Sequence, residues 1–499
     1  MAEFIIGNMA PLMFGALVIF LLFGYPVAFA LAANGIVFGL IGIELGLLTP
    51  ALFQALPERI FGIMANDTLL AIPFFTFIGL VLERSGMAED LLDTIGQLFG
   101  PMRGGLAYAV IFVGALLAAT TGVVAASVIS MGLISLPIML RYGYDKRLAS
   151  GVIAASGTLA QIIPPSLVLI IMADQLGRSV GDMYQGAIIP GMILTSMYVG
   201  YVVILSIVKP SHCPALPPEA RTLRGFKLGM RVITTMVPPL LLIFLVLGTI
   251  FMGIATPTEG GAMGAAGALI LALGRKRLSF KLLKQAMETT GKLSSFVIFI
   301  LVGSTVFGLI FRAVNGDLWV EHLLLGLPGG QVGFLIVVNI MVFVLAFFLD
   351  FFELSFIIVP LLAPVADKLG IDLVWFGVLL AVNMQTSFMH PPFGFALFYL
   401  RSVAPPSIKT TDIYWGAIPF VCIQIIMVAI IIIFPGVVSY GDDAQRAQAQ
   451  MERDGTAPPP VDLDTLMQQQ GGEAADTGKK ESESDAAAQM LKDLQSDSK

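Results

Sequence analysis

Charge is scarce in this sequence. Only 12% of its 499 residues are Asp, Glu, Lys or Arg, while 57% are hydrophobic. Soluble domains carry about 25% charged residues, so the shortage excludes an ordinary water-soluble globule and points to a polytopic membrane protein. Cysteine is nearly absent. Cys213 falls in a Pro-rich loop and Cys422 in the last apolar run, so a disulfide framework is excluded. No HExxH, P-loop, GxSxG or CxxC pattern occurs. A membrane hydrolase therefore has no catalytic motif to rest on, and an ATP-driven pump would need its nucleotide domain on another chain. The chain reads as a non-enzyme. There is no basic stripe for nucleic acid, and the first residues, MAEFIIGNMA, lack the basic n-region of a cleavable signal, so the first span is expected to remain as an anchor.

What is present is apolar length. Runs such as Leu12–Leu31, Val232–Met252, Gly333–Leu349 and Ile418–Phe434 recur. About twenty apolar residues cross the hydrocarbon core as a helix. Backbone groups cannot stay unpaired in lipid, so the spans must be helical. The net charge of −6 comes from the end of the chain: thirteen acidic and six basic residues from Tyr440 to Lys499 give −7 and leave the body near +1. That tail, 439–499, is too polar to bury a core and is expected to be disordered, with a short helix possible at Ala486–Leu494.

One stretch is used twice. Leu148–Ser166 and Val374–Gly394 are apolar runs broken midway by small or amide residues and closed by Pro164-Pro165 and Pro391-Pro392. Sliding the chain by 227 positions superposes the proline pairs and places Pro137 on Pro364, Asp145 on Asp372, Ser156 on Asn383 and Thr158 on Gln385. Broken apolar segments in matching positions of two halves mark the binding site of a secondary transporter. We expect a first repeat over 1–208, with a hairpin at 118–137 and a broken helix at 148–177. A basic linker at 209–231 follows. The second repeat covers 232–438, with a hairpin at 345–364 and a broken helix at 374–400. The linker and the loop from Arg275 to Lys292 are basic, which places both in the cytoplasm. Matching loops of the two halves differ in charge, as expected of repeats inserted in opposite senses. The expected fold is an all-α polytopic membrane bundle of two inverted repeats with re-entrant hairpins and broken helices.

Proline removes a backbone donor and breaks the helix before it. The break frees carbonyls that can hold a small cation and exposes a helix N-terminus that attracts an anion. Ser156, Thr158 and Gln161 stand at the first break; Asn383, Gln385, Thr386, Ser387 and His390 stand at the second. Their oxygens suit a hard ion such as Na⁺, against the plainer reading of a kinked helix with Ser/Thr packing. For the cargo we single out Ser156, Gln161, Pro164, Pro165, Glu353, Ser387, His390, Pro391 and Pro392. Asp350 and Glu353 lie inside an apolar run, where carboxylates are costly and face a cavity or a partner. They could bind a cation, carry a proton, or form a structural pair with an Arg or Lys. Arg84, Arg178, Arg312 and Arg401 lie near span ends, where snorkelling is the default. An anionic cargo would want one of them, and the sequence leaves open which.

The segments Leu69–Phe75 (LLAIPFF), Gly253–Ala262 (GIATPTEGGA), Gly157–Ser166 (GTLAQIIPPS) and Asn383–Gly394 (NMQTSFMHPPFG) resemble those of the large membrane subunit of tripartite ATP-independent periplasmic (TRAP) transporters, the DctM-like family. The resemblance spans about residues 10–438. It implies Na⁺-coupled uptake by an elevator in the bacterial inner membrane. It also implies a small four-helix DctQ-like membrane subunit and a periplasmic binding protein that delivers a small carboxylate. It places the cation sites at Thr121, Ser127, Gly157 and Thr158 in one half and at Asp350, Asn383, Gln385 and Thr386 in the other. The alternative is a one-component Na⁺- or H⁺-coupled organic anion symporter of related fold.

Overall fold

The computed structural model describes residues 2–121, 124–347, 349–392 and 394–439, with the side chains of Ala2, Leu22 and 118–121 outside that description. The acidic tail and its possible helix lie outside the described residues. Among the described residues every regular element is helical. The first half runs α1 (Ala2–Gly7), α2 (Met9–Leu22), α3 (Val27–Glu44), α4 (Leu56–Met64), α5 (Asp67–Arg84), α6 (Met87–Phe99), α7 (Gly105–Thr121), α8 (Val124–Arg141), α9 (Lys146–Thr158), α10 (Leu167–Leu176) and α11 (Val180–Val208). The second runs α12 (Gly225–Phe251), α13 (Pro257–Gly274), α14 (Phe280–Ala313), α15 (Gly316–Leu325), α16 (Gly330–Leu345), α17 (Phe351–Glu353), a π-helical turn (Leu354–Ile358), α18 (Val359–Lys368), α19 (Leu373–Gln385), α20 (Phe395–Val403) and α21 (Thr410–Ile433).

The repeat is carried residue by residue where it matters most. Shifted by 227, α9 falls on α19 and α8 falls on the segment from α17 to α18. The caps repeat too. Asp145 accepts from Arg147 and Leu148 N–H at 3.0 and 3.1 Å, and Asp372 accepts from Trp375 N–H at 2.7 Å. A carboxylate at a helix start satisfies orphan donors and the dipole together.

The halves enter from opposite faces. Asp145 N–H donates to the carbonyl of His212 at 2.9 Å, just beyond the end of α11. Val374, at the start of α19, packs instead near Gly186 in the first turns of α11. These 29 residues of α11 span about 43 Å at 1.5 Å each, so α9 and α19 begin a full span apart. Each hairpin enters and leaves by one face. Gly104, before α7, donates to Cys213 O at 2.9 Å, beside the residue that receives Asp145 after α8. On the opposite face Gln331, in the first turn of α16, bonds Leu369 O, just past α18. The hairpin arms are longer than the 118–137 and 345–364 stretches expected, running over 105–141 and 330–368. Pro137 and Pro364 sit inside α8 and α18 rather than ending them.

Helices cross where small residues let backbones meet. α3 of the first half lies on α14 of the second: a Cβ on Gly35 would sit 2.8 Å from Val306 O, and one on Gly303 would fall onto Ala28 O. In the matching contact α13 lies on α5, with Gly261 against Phe74. Each half therefore lends a helix to the other. At the basic face Asp90 on α6 gathers Arg231, Arg275 and Arg277 within 3.3–4.0 Å, which ties α6 to α12 and to the loop after α13. The outer surface is apolar, with Phe244 73%, Ile270 68% and Ile433 66% exposed. Among the described residues six helices are long and apolar enough to cross a membrane, or eight if two bent pairs each count as one span. A lipid-facing role explains such a surface.

α9 and α21 meet through Gly151 and Gly416, where either Cβ would strike backbone carbonyls, Gly416 O or Arg147 O. Gly416→Val should force these helices apart and destabilise the fold by roughly 1–3 kcal/mol or more, the cost of overpacking. Thermal unfolding of the purified chain in detergent checks this; an unchanged transition would show that the crossing is looser than the backbone places it.

Candidate functional site

The site is built where α9 and α19 stop. Each helix ends in one 3-10 turn, Leu159–Gln161 and Thr386–Phe388. The chain then passes through Pro164-Pro165 or Pro391-Pro392, both joined by cis bonds, into α10 or α20. At the first break Ser166 spans the gap: its hydroxyl donates to Gln161 O at 2.5 Å and accepts from Leu169 N–H at 3.5 Å. The second break has no side-chain cap at Gly394, whose N–H donates to His390 O at 2.6 Å.

The repeat mates Thr158 and Gln385 touch. Gln385 Nε2 donates to Thr158 Oγ1 at 3.1 Å. Residues related by a two-fold operation can meet only near its axis, so this bond marks the centre of the inverted repeat. Gln424 Nε2 on α21 reaches the same Oγ1 at 3.5 Å and donates to Tyr198 Oη on α11 at 2.9 Å. Thr158 itself donates to Ala155 O at 2.8 Å. All four side chains are fully buried. Ser156 also bonds back along its own helix, to Val152 O at 2.6 Å, and Thr386 does the same to Asn383 O at 2.6 Å.

The remaining residues are placed apart from that centre. Asn383 donates to Asn339 on α16 through both the backbone O (2.8 Å) and Oδ1 (2.9 Å), and so fastens the second broken helix to its hairpin. His390 is clamped between Phe343 and Phe347, with ring centroids 4.2 and 4.3 Å away. Asp350 and Glu353 form a capping box: each carboxylate accepts the other's backbone N–H at 3.0 Å. No Arg or Lys bridges them among the described residues, and the pair caps the start of the hairpin's return arm. Ser127 is buried on α8, and Gly157 lets Val128 of α8 approach α9. The side chain of Thr121 lies outside the described residues. Pro164 and Pro165 are buried, whereas Pro391 is half-buried and Pro392 exposed.

Several buried polar atoms here lack a protein partner: both amide atoms of Gln161, Oε1 of Gln385 and of Gln424, Ser387 Oγ and both ring nitrogens of His390. Leaving such a group unsatisfied costs about 1–3 kcal/mol, and each one in a native structure calls for an explanation. Amide and hydroxyl oxygens are hard neutral donors that fit a small monovalent cation. Among the described residues no three His, Cys, Asp or Glu side chains gather. Sequence reasoning missed Gln424, Tyr198 and Asn339. The signal was available, since Gln424 and Asn339 are lone amides inside apolar runs, and intramembrane polar residues are functional by default.

Comparison with known proteins places these features in one group. The family described as "Tripartite ATP-independent periplasmic transporter, DctM component" matches residues 14–437. The chain is 31% identical over 396 residues to the C4-dicarboxylate TRAP transporter large permease protein DctM of Pseudomonas aeruginosa, covering 78% of this chain and 90% of that one. It is 29% identical over 436 residues to the protein of the same description from Vibrio cholerae, covering 83% and 93%. The sialic acid TRAP transporter permease protein SiaT of Haemophilus influenzae is 27% identical over 392 residues, covering 78% and 62%. Among solved structures the YdaH transporter of Alcanivorax borkumensis superposes with a TM-score of 0.54 at 14% identity, covering 78% and 90%, a likeness of fold alone.

The Asn383–Asn339 contact should be energetically coupled. A double-mutant cycle of Asn383→Ala and Asn339→Ala, read by denaturation of the purified chain, should return an interaction of about 1 kcal/mol. Strict additivity would mean the two amides do not hold hairpin and broken helix together.

Proposed function

The chain belongs to the DctM component family of tripartite ATP-independent periplasmic transporters, and from that membership we propose that it carries a small carboxylate inward, driven by Na⁺. The observation that supports the reading is the buried contact of Thr158 with Gln385, where two helices entering from opposite faces both end inside the bundle. Na⁺ is held at this centre, with Gln385 Oε1 and Gln424 Oε1 as neutral oxygen ligands left free by protein partners. The relatives named for C4-dicarboxylates and sialic acid support an organic acid as cargo.

The basic loops at 209–231 and 275–292 face the cytoplasm of a bacterial inner membrane. The two hairpins and the two broken helices move together as an elevator against α3, α5, α13 and α14. A small four-helix membrane subunit buttresses that frame, and a periplasmic binding protein delivers the cargo to the face opposite the basic loops. Binding energy shared by cargo and Na⁺ at one site couples them, because each then favours the state the other binds.

The test is uptake by proteoliposomes holding this chain, its small membrane subunit and its binding protein, with radiolabelled succinate and pyruvate as probes. An inward Na⁺ gradient should drive accumulation, a Na⁺ ionophore should abolish it, and Gln385→Leu should lower it by roughly tenfold or more through loss of a buried polar partner. Uptake that ignores the Na⁺ gradient sinks the coupling. Uptake by this chain alone would favour a one-component symporter.

A further inference from the structure

Four arginines near span ends could have met an anionic cargo, and their contacts separate them. Arg84 donates to Gln285 Oε1 at 3.0 Å and to Thr289 Oγ1 at 3.1 Å. Arg401 donates to Ile408 O at 2.6 Å. Arg178 sits at the turn before α11, where its charge acts on Asp182. Arg312, in the last turn of α14, makes no side-chain hydrogen bond or ion pair among the described residues. It lines a cleft of about 330 Å³ together with Arg59 of α4, which is also unpaired there. Both guanidinium groups are exposed at the rim.

The cleft has two walls. Arg59, Asn66, Ser304 and Arg312 come from α4, α5 and α14, and Asp174 and Phe356 come from α10 and the π-helical turn. The carboxylate of Asp174 is already taken, by Asn66 Nδ2 at 2.6 Å and Gln175 Nε2 at 2.8 Å. The two arginines against one satisfied carboxylate leave the lining at +1. Its volume lies at the small end of the range for ligand pockets. The N-terminus of α14 follows the basic loop and its 34 residues span about 51 Å, which puts Arg312 on the face opposite that loop.

We propose that this cleft is the entry site for the cargo, and that Arg59 and Arg312 grip its carboxylate before it reaches the broken helices. The inference rests on the reading above for the class of cargo and adds the residues that recognise it. Guanidinium forks match a carboxylate in shape as well as charge. The link inward is the π-helical turn. Ser304 of α14 donates to Phe356 O at 2.6 Å on the cleft side, while the adjoining Ser355 points its hydroxyl at Met172 and Met384, 3.6 and 3.7 Å away, on α10 and α19. A ligand filling the cleft therefore touches the turn whose next residue packs on both broken helices. π-turns inside helices are frequent at functional sites.

The test is ligand-induced thermal stabilisation of the full purified chain, with succinate and pyruvate as probes and succinamide as the uncharged control. The wild type should be stabilised by at least one of the acids and not by succinamide. Arg59→Gln and Arg312→Gln should each weaken that response by roughly tenfold, as expected for a lost charge-assisted fork, whereas Arg84→Gln should leave it unchanged. Should either Gln variant fail to fold, Arg→Lys at that position keeps the charge but loses the fork, and should weaken binding several-fold. The proposal is overturned if neither acid stabilises the wild type, or if the doubly substituted R59Q/R312Q chain responds as the wild type does. That result would leave Na⁺-driven uptake standing, just as uptake indifferent to Na⁺ would leave this binding test standing.

Discussion

A hydroxyl and an amide hold the middle of this molecule together. Thr158 Oγ1 receives Gln385 Nε2 and Gln424 Nε2 and gives its own proton to Ala155 O. Everything around the bond follows from a constraint on buried backbone. A helix broken within an apolar layer exposes carbonyls and amides that lipid cannot satisfy, so it survives only where protein surrounds it. Two such breaks placed back to back on a two-fold axis shield each other, and the remaining helices of both halves complete the enclosure. The exchange of α3 and α13 between halves serves the same end, since it locks α3 against α14 and α13 against α5 of the other repeat.

The symmetry is not complete, and the departures are informative. Ser166 closes the first break with a hydroxyl that bonds both half-helices, and its proline pair is buried. The second break lacks that cap, leans on Asn339 through Asn383, and wedges His390 between two phenyl rings of α16 and the turn that follows it. The first break is thus self-contained, while the second is fastened to its hairpin. Two copies of one motif have become a fixed side and a side whose geometry depends on a neighbouring element.

Much of this was legible in the sequence because it depends on spacing. Apolar run length predicts spans, and the paired Pro-Pro segments 227 residues apart predict the breaks and even which residues are mates. Asp145 and Asp372 read as matched positions and prove to be matched caps. The hairpin lengths were not legible, because a proline inside an apolar arm reads as an end, whereas Pro137 and Pro364 are absorbed within α8 and α18. Nor was the role of Asp350 and Glu353. A buried acidic pair suggests an ion, and at a spacing of three residues it also spells a capping box, which the backbone geometry shows here. Gln424 and Asn339 stand out as lone amides in apolar runs, but with Tyr198 they come from distant helices, so the sequence could flag the amides without attaching any of the three to the site.

The contacts between frame and hairpins carry the argument one step further. Where helices of the frame cross, glycines bring backbones together, and such contacts resist displacement because a shift of one turn puts side chains where none fit. Where α5 and α14 meet the hairpins, single hydroxyls bond across: Ser130 of α8 to Glu83 of α5 at 2.5 Å, and Ser304 of α14 to Phe356 O at 2.6 Å. A hydroxyl can rotate to a new acceptor, and its net worth is about 1 kcal/mol. The sliding proposed above would break bonds of this kind and leave the glycine crossings intact. The cleft lined by Arg59 and Arg312 on one wall and by Asp174 and Phe356 on the other lies along that seam, so under the proposal above an anion seated there would touch both sides of it.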